Sequence, residues 1–85
     1  MPRTLQSPKH RALKGLLIDA RKAADLTQTE VARRVGRYQS YIAAIEIGQR
    51  RVDVVEFLGL CEAIGCDPRE IIDALSPTRR RPARR

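Results

Sequence analysis

Tryptophan is absent from this 85-residue chain, and Tyr38, Tyr41 and Phe57 are its only aromatic residues, 4% of the total. Modules that bind RNA or single strands stack bases on several aromatic rings, so this supply counts against that class. Cysteine is scarce as well. Cys61 and Cys66 lie five positions apart, a spacing that suits neither a metal knuckle nor a bridge. Cys61 falls in an apolar helical stripe, where a buried free thiol is expected. No metal and no cofactor are expected. No apolar run approaches the roughly 20 residues that cross a bilayer, and no secretory signal opens the chain. The expected setting is a reducing cytoplasm, with no membrane partner. No segment alternates apolar and polar residues over strand length, so sheet is not expected. His10 is the only histidine and has no cysteine or acid near it in sequence. One modest core also leaves no room for a catalytic cleft and its supporting shell, so the chain is not read as an enzyme.

What is present is charge, unevenly spread. The formal net charge is +7, and hydrophobic residues make up 42%, enough for a folded core. Residues 28–51 carry Arg33, Arg34, Arg37, Arg50 and Arg51 against Glu30 and Glu46. Residues 53–75 reverse the balance, with Arg69 alone against Asp53, Glu56, Glu62, Asp67, Glu70 and Asp73. Both ends are basic: Arg3, Lys9, Arg11 and Lys14 at one, and Arg79, Arg80, Arg81, Arg84 and Arg85 at the other. One side of such a molecule attracts a polyanion and the other avoids it.

Helix starts and stops are legible. Ser7-Pro8 reads as an N-cap with proline at the first helical position, where a missing N–H costs nothing. Leu13, Leu16, Leu17, Ala20 and Ala24 follow at helical spacing, and the helix is expected to end near Ala24-Asp25. Thr27 with Glu30 forms a capping-box pair for a second helix whose apolar face is Val31, Ala32 and Val35, stopped by a left-handed Gly36. A third helix is expected from Gln39 to Ile47, with Ile42 and Ile45 inward and Gly48 as terminator. Asp53 with Glu56 opens a fourth, carrying Val54, Phe57, Leu58, Cys61 and Ile64 to Gly65. Asp67-Pro68 with Glu70 opens a fifth, containing Ile71, Ile72 and Leu75 and ending at Ser76-Pro77. Residues 1–7 are expected to form an N-terminal arm, 8–76 the domain, and 77–85 a disordered basic tail.

The second and third helices are joined by only Gly36-Arg37-Tyr38, a link short enough to force a steep crossing. The third helix can then project from the body, and a projecting helix fits the major groove. The run Leu26-Thr27-Gln28-Thr29-Glu30-Val31-Ala32-Arg33-Arg34-Val35-Gly36, with Gln39-Ser40-Tyr41-Ile42 and Ile45-Glu46-Ile47-Gly48, resembles the Cro and phage-repressor (XRE) family of helix-turn-helix regulators. The closing pattern Ala63-Ile64-Gly65-Cys66-Asp67-Pro68, followed by Ile71-Ile72, belongs to the same resemblance, which spans about residues 14–75. It implies an all-α, compact five-helix lambda-repressor-like fold, with the helix-turn-helix at about 27–47.

It also implies roles. Gln28 matches the glutamine that binds a phosphate and buttresses the recognition helix. Gln39 and Ser40 match base-reading positions, and a glutamine can pair bidentately with adenine. Arg21 and Glu46 match a partly buried salt bridge between the first and third helices. Arg50 and Arg51 lie where the loop after the recognition helix meets the DNA backbone. Three departures matter: Ala44 offers only a methyl where a long polar side chain is common, Tyr38 replaces a small capping residue, and Ile47 replaces an asparagine. With Ala43 also short, specificity leans on Arg37, Gln39, Ser40 and DNA shape. Tyr38 and Tyr41 either contact DNA or cover the core. Arg33 and Arg34 point away from the core face of the second helix and are left open between phosphate contact and a solvated role.

The expected function is a sequence-specific regulator of duplex DNA, acting as a repressor by operator occupancy. The family's homodimers join near the fourth and fifth helices, with Cys66, Asp67, Pro68 and Glu70 the candidate contacts here. Two alternatives stay open: an antitoxin or restriction-modification controller of the same fold, or an adaptor that uses the scaffold to bind a protein partner such as a toxin or another regulator.

Overall fold

A computed structural model of the chain describes residues 7–76. The basic tail at 77–85 and most of the N-terminal arm expected at 1–7 lie outside the described residues. Those described fold into five helices: α1 (Pro8–Ala23), α2 (Gln28–Arg34), α3 (Gln39–Glu46), α4 (Val54–Ile64) and α5 (Pro68–Leu75). No strand occurs among them.

The starts follow from side-chain caps, which satisfy amide groups that have no partner inside the helix. Ser7 accepts from the His10 N–H at 3.0 Å, with Pro8 opening α1. The Thr27 hydroxyl accepts from the Glu30 N–H at 3.0 Å, while the Glu30 carboxylate accepts from the Thr27 N–H at 2.8 Å. Asp53 and Glu56 repeat this reciprocal box at α4. At α5, Asp67 accepts from the Arg69 N–H, and Glu70 does not close a box.

One device ends the first four helices. A residue one or two positions past each end takes a left-handed conformation, and the next N–H reaches back five residues: Leu26 to Arg21, Arg37 to Ala32, Gln49 to Ala44 and Cys66 to Cys61. Gly36, Gly48 and Gly65 supply three of the positive-φ positions. Asp25, at φ 60°, supplies the fourth without the freedom of glycine, which short polar side chains tolerate better than others.

The core gathers Leu17 from α1, Val31 and Ala32 from α2, and Ile42 and Ile45 from α3. Phe57, Leu60, Cys61 and Ile64 come from α4 and Ile71 from α5, with Leu13, Leu16, Ala20 and Val35 packed around them. Fully burying each large apolar side chain is worth roughly 1.5–3 kcal/mol. On α4 the core face includes Leu60, which the sequence pattern did not single out. At 100° per residue, Phe57, Leu60, Cys61 and Ile64 share one face, which turns Leu58 outward, while Val54, at the first position of the helix, is exposed although it lies one turn before Phe57. On α5, Ile71 is buried and Ile72 is half exposed, and Ala24 at the end of α1 is exposed. Cys61 is a free thiol only 1% exposed. Burial, helped by a hydrogen bond with Cys66, pushes its pKa up to about 12.

Candidate nucleic-acid interface

Residues 35–38, between α2 and α3, form a tight corner around Gly36 that leaves the amino end of α3 at the surface. Tyr38, Gln39 and Ser40 are all exposed there, Tyr38 at 85%, while Ile42 and Ile45 anchor the helix from beneath. Tyr38 occupies the N-cap position without any side-chain cap bond. The Tyr41 N–H donates to the Tyr38 carbonyl at 3.0 Å, and the Gln39 and Ser40 amides have no side-chain cap.

Beneath this edge runs a chain of polar contacts. Arg21 grips Glu46 with two guanidinium nitrogens, Nε to Oε2 at 2.7 Å and Nη2 to Oε1 at 3.0 Å, and its Nη1 donates to the Leu26 carbonyl at 2.8 Å. Both side chains are largely enclosed, 13% and 9% exposed. The Glu46 hydrogen bonds raise the Arg21 pKa above its usual value, against the opposing effect of burial. Gln28 Nε2 donates to the same Glu46 Oε1 at 2.8 Å, and Gln39 Nε2 donates to Gln28 Oε1 at 2.6 Å. A carboxylate can only accept, so Glu46 dictates that Gln28 presents its nitrogen inward and its oxygen to Gln39. Gln39 must then spend one N–H on Gln28, which leaves its second N–H and its carbonyl oxygen at the exposed edge.

A second cluster lies at the other end of the motif. The Arg37 and Arg50 guanidiniums lie over the Tyr41 ring, 3.9 and 4.8 Å from its centroid. Glu56 pairs with Arg50 and lies 4.0 Å from Arg37. The Glu56 carboxyl is held below its ordinary value, first by the Asp53 backbone N–H of the α4 cap and then by Arg50. Burial raises the Tyr41 phenol. Arg51 is exposed, and Ala43 and Ala44 are half-buried on α3.

Of the residues singled out in the sequence, Arg21, Gln28, Gln39 and Glu46 come together in one network, with Ser40 beside it, and Arg37, Tyr41 and Arg50 in another. Cys66, Asp67, Pro68 and Glu70 stand apart from both, at the α4–α5 junction. Two participants were not legible in sequence. Arg34, left open between phosphate and solvent in the sequence, donates to the Ala63 carbonyl at 2.8 Å and ties α2 to the end of α4. Glu56 was seen as a cap but not as a partner of two arginines. Its approach to Arg50 depends on how the loop at 47–53 folds back, and no spacing rule reports that.

A projecting helix set on a glycine-closed corner, inside a five-helix domain, defines the fold of helix-turn-helix DNA-binding regulators. A family model described as a helix-turn-helix domain matches residues 13–74. An XRE-family-like protein from Pseudomonas syringae pv. tomato is 41% identical over 88% of this chain and 92% of its own, with a TM-score of 0.81. The chain belongs to the XRE family of helix-turn-helix proteins. It is also similar to the restriction-modification controller protein C.AhdI from Aeromonas hydrophila, 36% identical over 69% of this chain and 86% of that one, at a TM-score of 0.65. The clp gene regulator ClgR from C. glutamicum shares the fold, at 20% identity and a TM-score of 0.75 over 84% of this chain and 92% of that one. No curated protein matches in sequence. Among the described residues no helix is long and apolar enough to cross a membrane, and no group of His, Cys, Asp and Glu could hold a metal ion.

Proposed function

We propose that this protein regulates transcription in the cytoplasm by reading duplex DNA with α3 in the major groove, and that it represses by occupying its operator. The observation that carries this reading is the relay from Arg21 through Glu46 and Gln28 to Gln39. It fixes a free N–H and a free carbonyl oxygen side by side at the exposed start of α3, the pair that matches adenine N7 and N6. Ser40 adds an adaptable hydroxyl, Tyr38 a ring and hydroxyl, and Ala44 a methyl for a thymine methyl. Arg37, Tyr41, Arg50 and Arg51 serve the phosphates, and Gln28 positions Gln39 and reaches the backbone.

So few base readers give one copy little discrimination. Two copies on a two-fold site double it, placing recognition helices about 34 Å apart. The homodimer surface proposed here differs from the Cys66–Glu70 segment. The large exposed apolar side chains Val54, Val55, Leu58 and Ile72 lie on α4 and α5, and that segment contributes none of them. Acidic residues dominate this half of the chain, which favours its facing away from DNA.

The 36% identity to C.AhdI favours a second reading, control of a restriction-modification system. Selection of bound duplexes from a random library at stated salt tests the main proposal. Enrichment of inverted half-sites about one helical turn apart is expected, whereas no enrichment at low salt sinks it. The selected site lying before a methyltransferase or endonuclease gene would turn the choice to the second.

A further inference from the structure

Glu56 sits at the junction of two structures and uses a different oxygen for each. Oε1 accepts from the Asp53 N–H at 3.1 Å and completes the α4 cap. Oε2 faces the Arg50 and Arg37 guanidiniums, both stacked on Tyr41. The carboxylate side chain is 20% exposed and the two arginines 46% and 40%, so Glu56 lies inward and the guanidiniums stand between it and solvent.

Two arginines at a DNA-facing edge grip phosphate wherever they meet it, and that grip carries no sequence information. A carboxylate behind them changes the balance in two ways. It takes one positive charge off the pair, which weakens attraction to every phosphate. It also fixes both heads against the Tyr41 ring, so a phosphate in the matching place meets a prepared pair. Only a duplex seated with α3 in its groove offers phosphates at that place. We propose that Glu56 sets specificity: it holds Arg37 and Arg50 for the phosphates of a correctly seated duplex and weakens their hold on DNA bound out of register. This rests on the DNA-binding reading above.

The test compares the full chain with Glu56→Gln, which keeps the shape and a cap acceptor and removes the charge. A selected site and a random duplex of equal length serve as probes over a salt series, after melting curves show that each variant is folded. Glu56→Gln should bind the random duplex about three- to tenfold more tightly near 0.1 M salt. The slope of log affinity against log salt should steepen by about one per subunit. The selected site gains less, so the ratio between the probes falls. Asp53→Asn removes a charge from the same turn while keeping a cap acceptor, and should leave the slope nearly unchanged.

An independent arm removes both arginines. Arg37→Gln with Arg50→Gln should flatten the slope by about one rather than about two, because Glu56 already offsets one charge. An unchanged slope in Glu56→Gln, an equal change in Asp53→Asn, or a loss of about two in the double variant each overturns the assignment. Those failures leave the wild-type protein binding DNA. If the wild-type chain retards neither probe at low salt, the DNA-binding reading falls and takes this inference with it.

Discussion

Along the α2–α3 edge the polar side chains are tied to one another, whereas on the α4–α5 face large apolar side chains stand in solvent. Arg21, Glu46, Gln28 and Gln39 satisfy each other within one chain and hold their amide groups in a single orientation. Val54 and Val55, 71% and 78% exposed, remain outside the core although their own helix buries Phe57, Leu60, Cys61 and Ile64. The first region is complete by itself and gains rigidity from that. The second would be completed by another surface, and self-association is proposed there for that reason.

The largest effect is expected from breaking the edge. Glu46→Ala leaves Arg21 enclosed without its carboxylate and Gln28 without its acceptor, and should cost about 3 kcal/mol in urea unfolding. A loss below about 1 kcal/mol would mean that the pair is solvated and that the comparison is overdrawn. On the other face, Val55→Glu should leave monomer unfolding within about 0.5 kcal/mol, because the side chain is exposed. It should weaken self-association by about 2 kcal/mol, read by sedimentation over a concentration series. Unchanged sedimentation would move the interface elsewhere.

Gln39→Ala should cost about 1–3 kcal/mol on the selected site and little on random duplex. Equal losses on both would assign Gln39 to the backbone. Asp25→Gly tests the terminator beside this edge. Relieving a left-handed non-glycine residue should raise stability by about 0.5–1 kcal/mol in thermal unfolding, less whatever the freer unfolded chain takes back.

The smallest difference concerns acid. Glu30 and Glu56 cap opposite regions, and both carboxyls lie below the ordinary value of 4.5, held there first by the Thr27 and Asp53 backbone N–H groups. A lowered carboxyl contributes stability above its unfolded pKa and loses it as pH falls through the folded one. Urea midpoints should therefore hold from neutral pH to about 5 and decline below it. Glu30→Gln and Glu56→Gln should each make that decline shallower. A midpoint that falls equally in both variants and the wild type would assign the acid limb to other groups.

Much of this was legible in the sequence because helix ends are local events. Thr27 with Glu30, Asp53 with Glu56, and the glycines at 36, 48 and 65 act within a turn of themselves. Their roles needed no knowledge of the rest of the chain. The family resemblance supplied the expectation of an Arg21–Glu46 pair. What escaped was relative rotation and folding back. Leu58 and Leu60 both fit an apolar count along α4, and only the rotation of the helix against its neighbours buries Leu60 and exposes Leu58. Arg34 reaching Ala63, and Glu56 reaching Arg50, join residues whose approach is fixed only once α2, the 47–53 loop and α4 are packed together. Asp25 gave no glycine to mark its turn.

The enclosed thiol of Cys61 gives the domain a built-in clock. A thiol with its pKa near 12 and 1% of its surface exposed does not meet a reagent while the core is closed. With Cys66 replaced by serine, the rate of Cys61 modification would count openings of the core one by one, on unlabelled protein and at native conditions. A DNA that binds only the closed form would slow that clock in proportion to its occupancy, turning a buried residue of α4 into a gauge of binding.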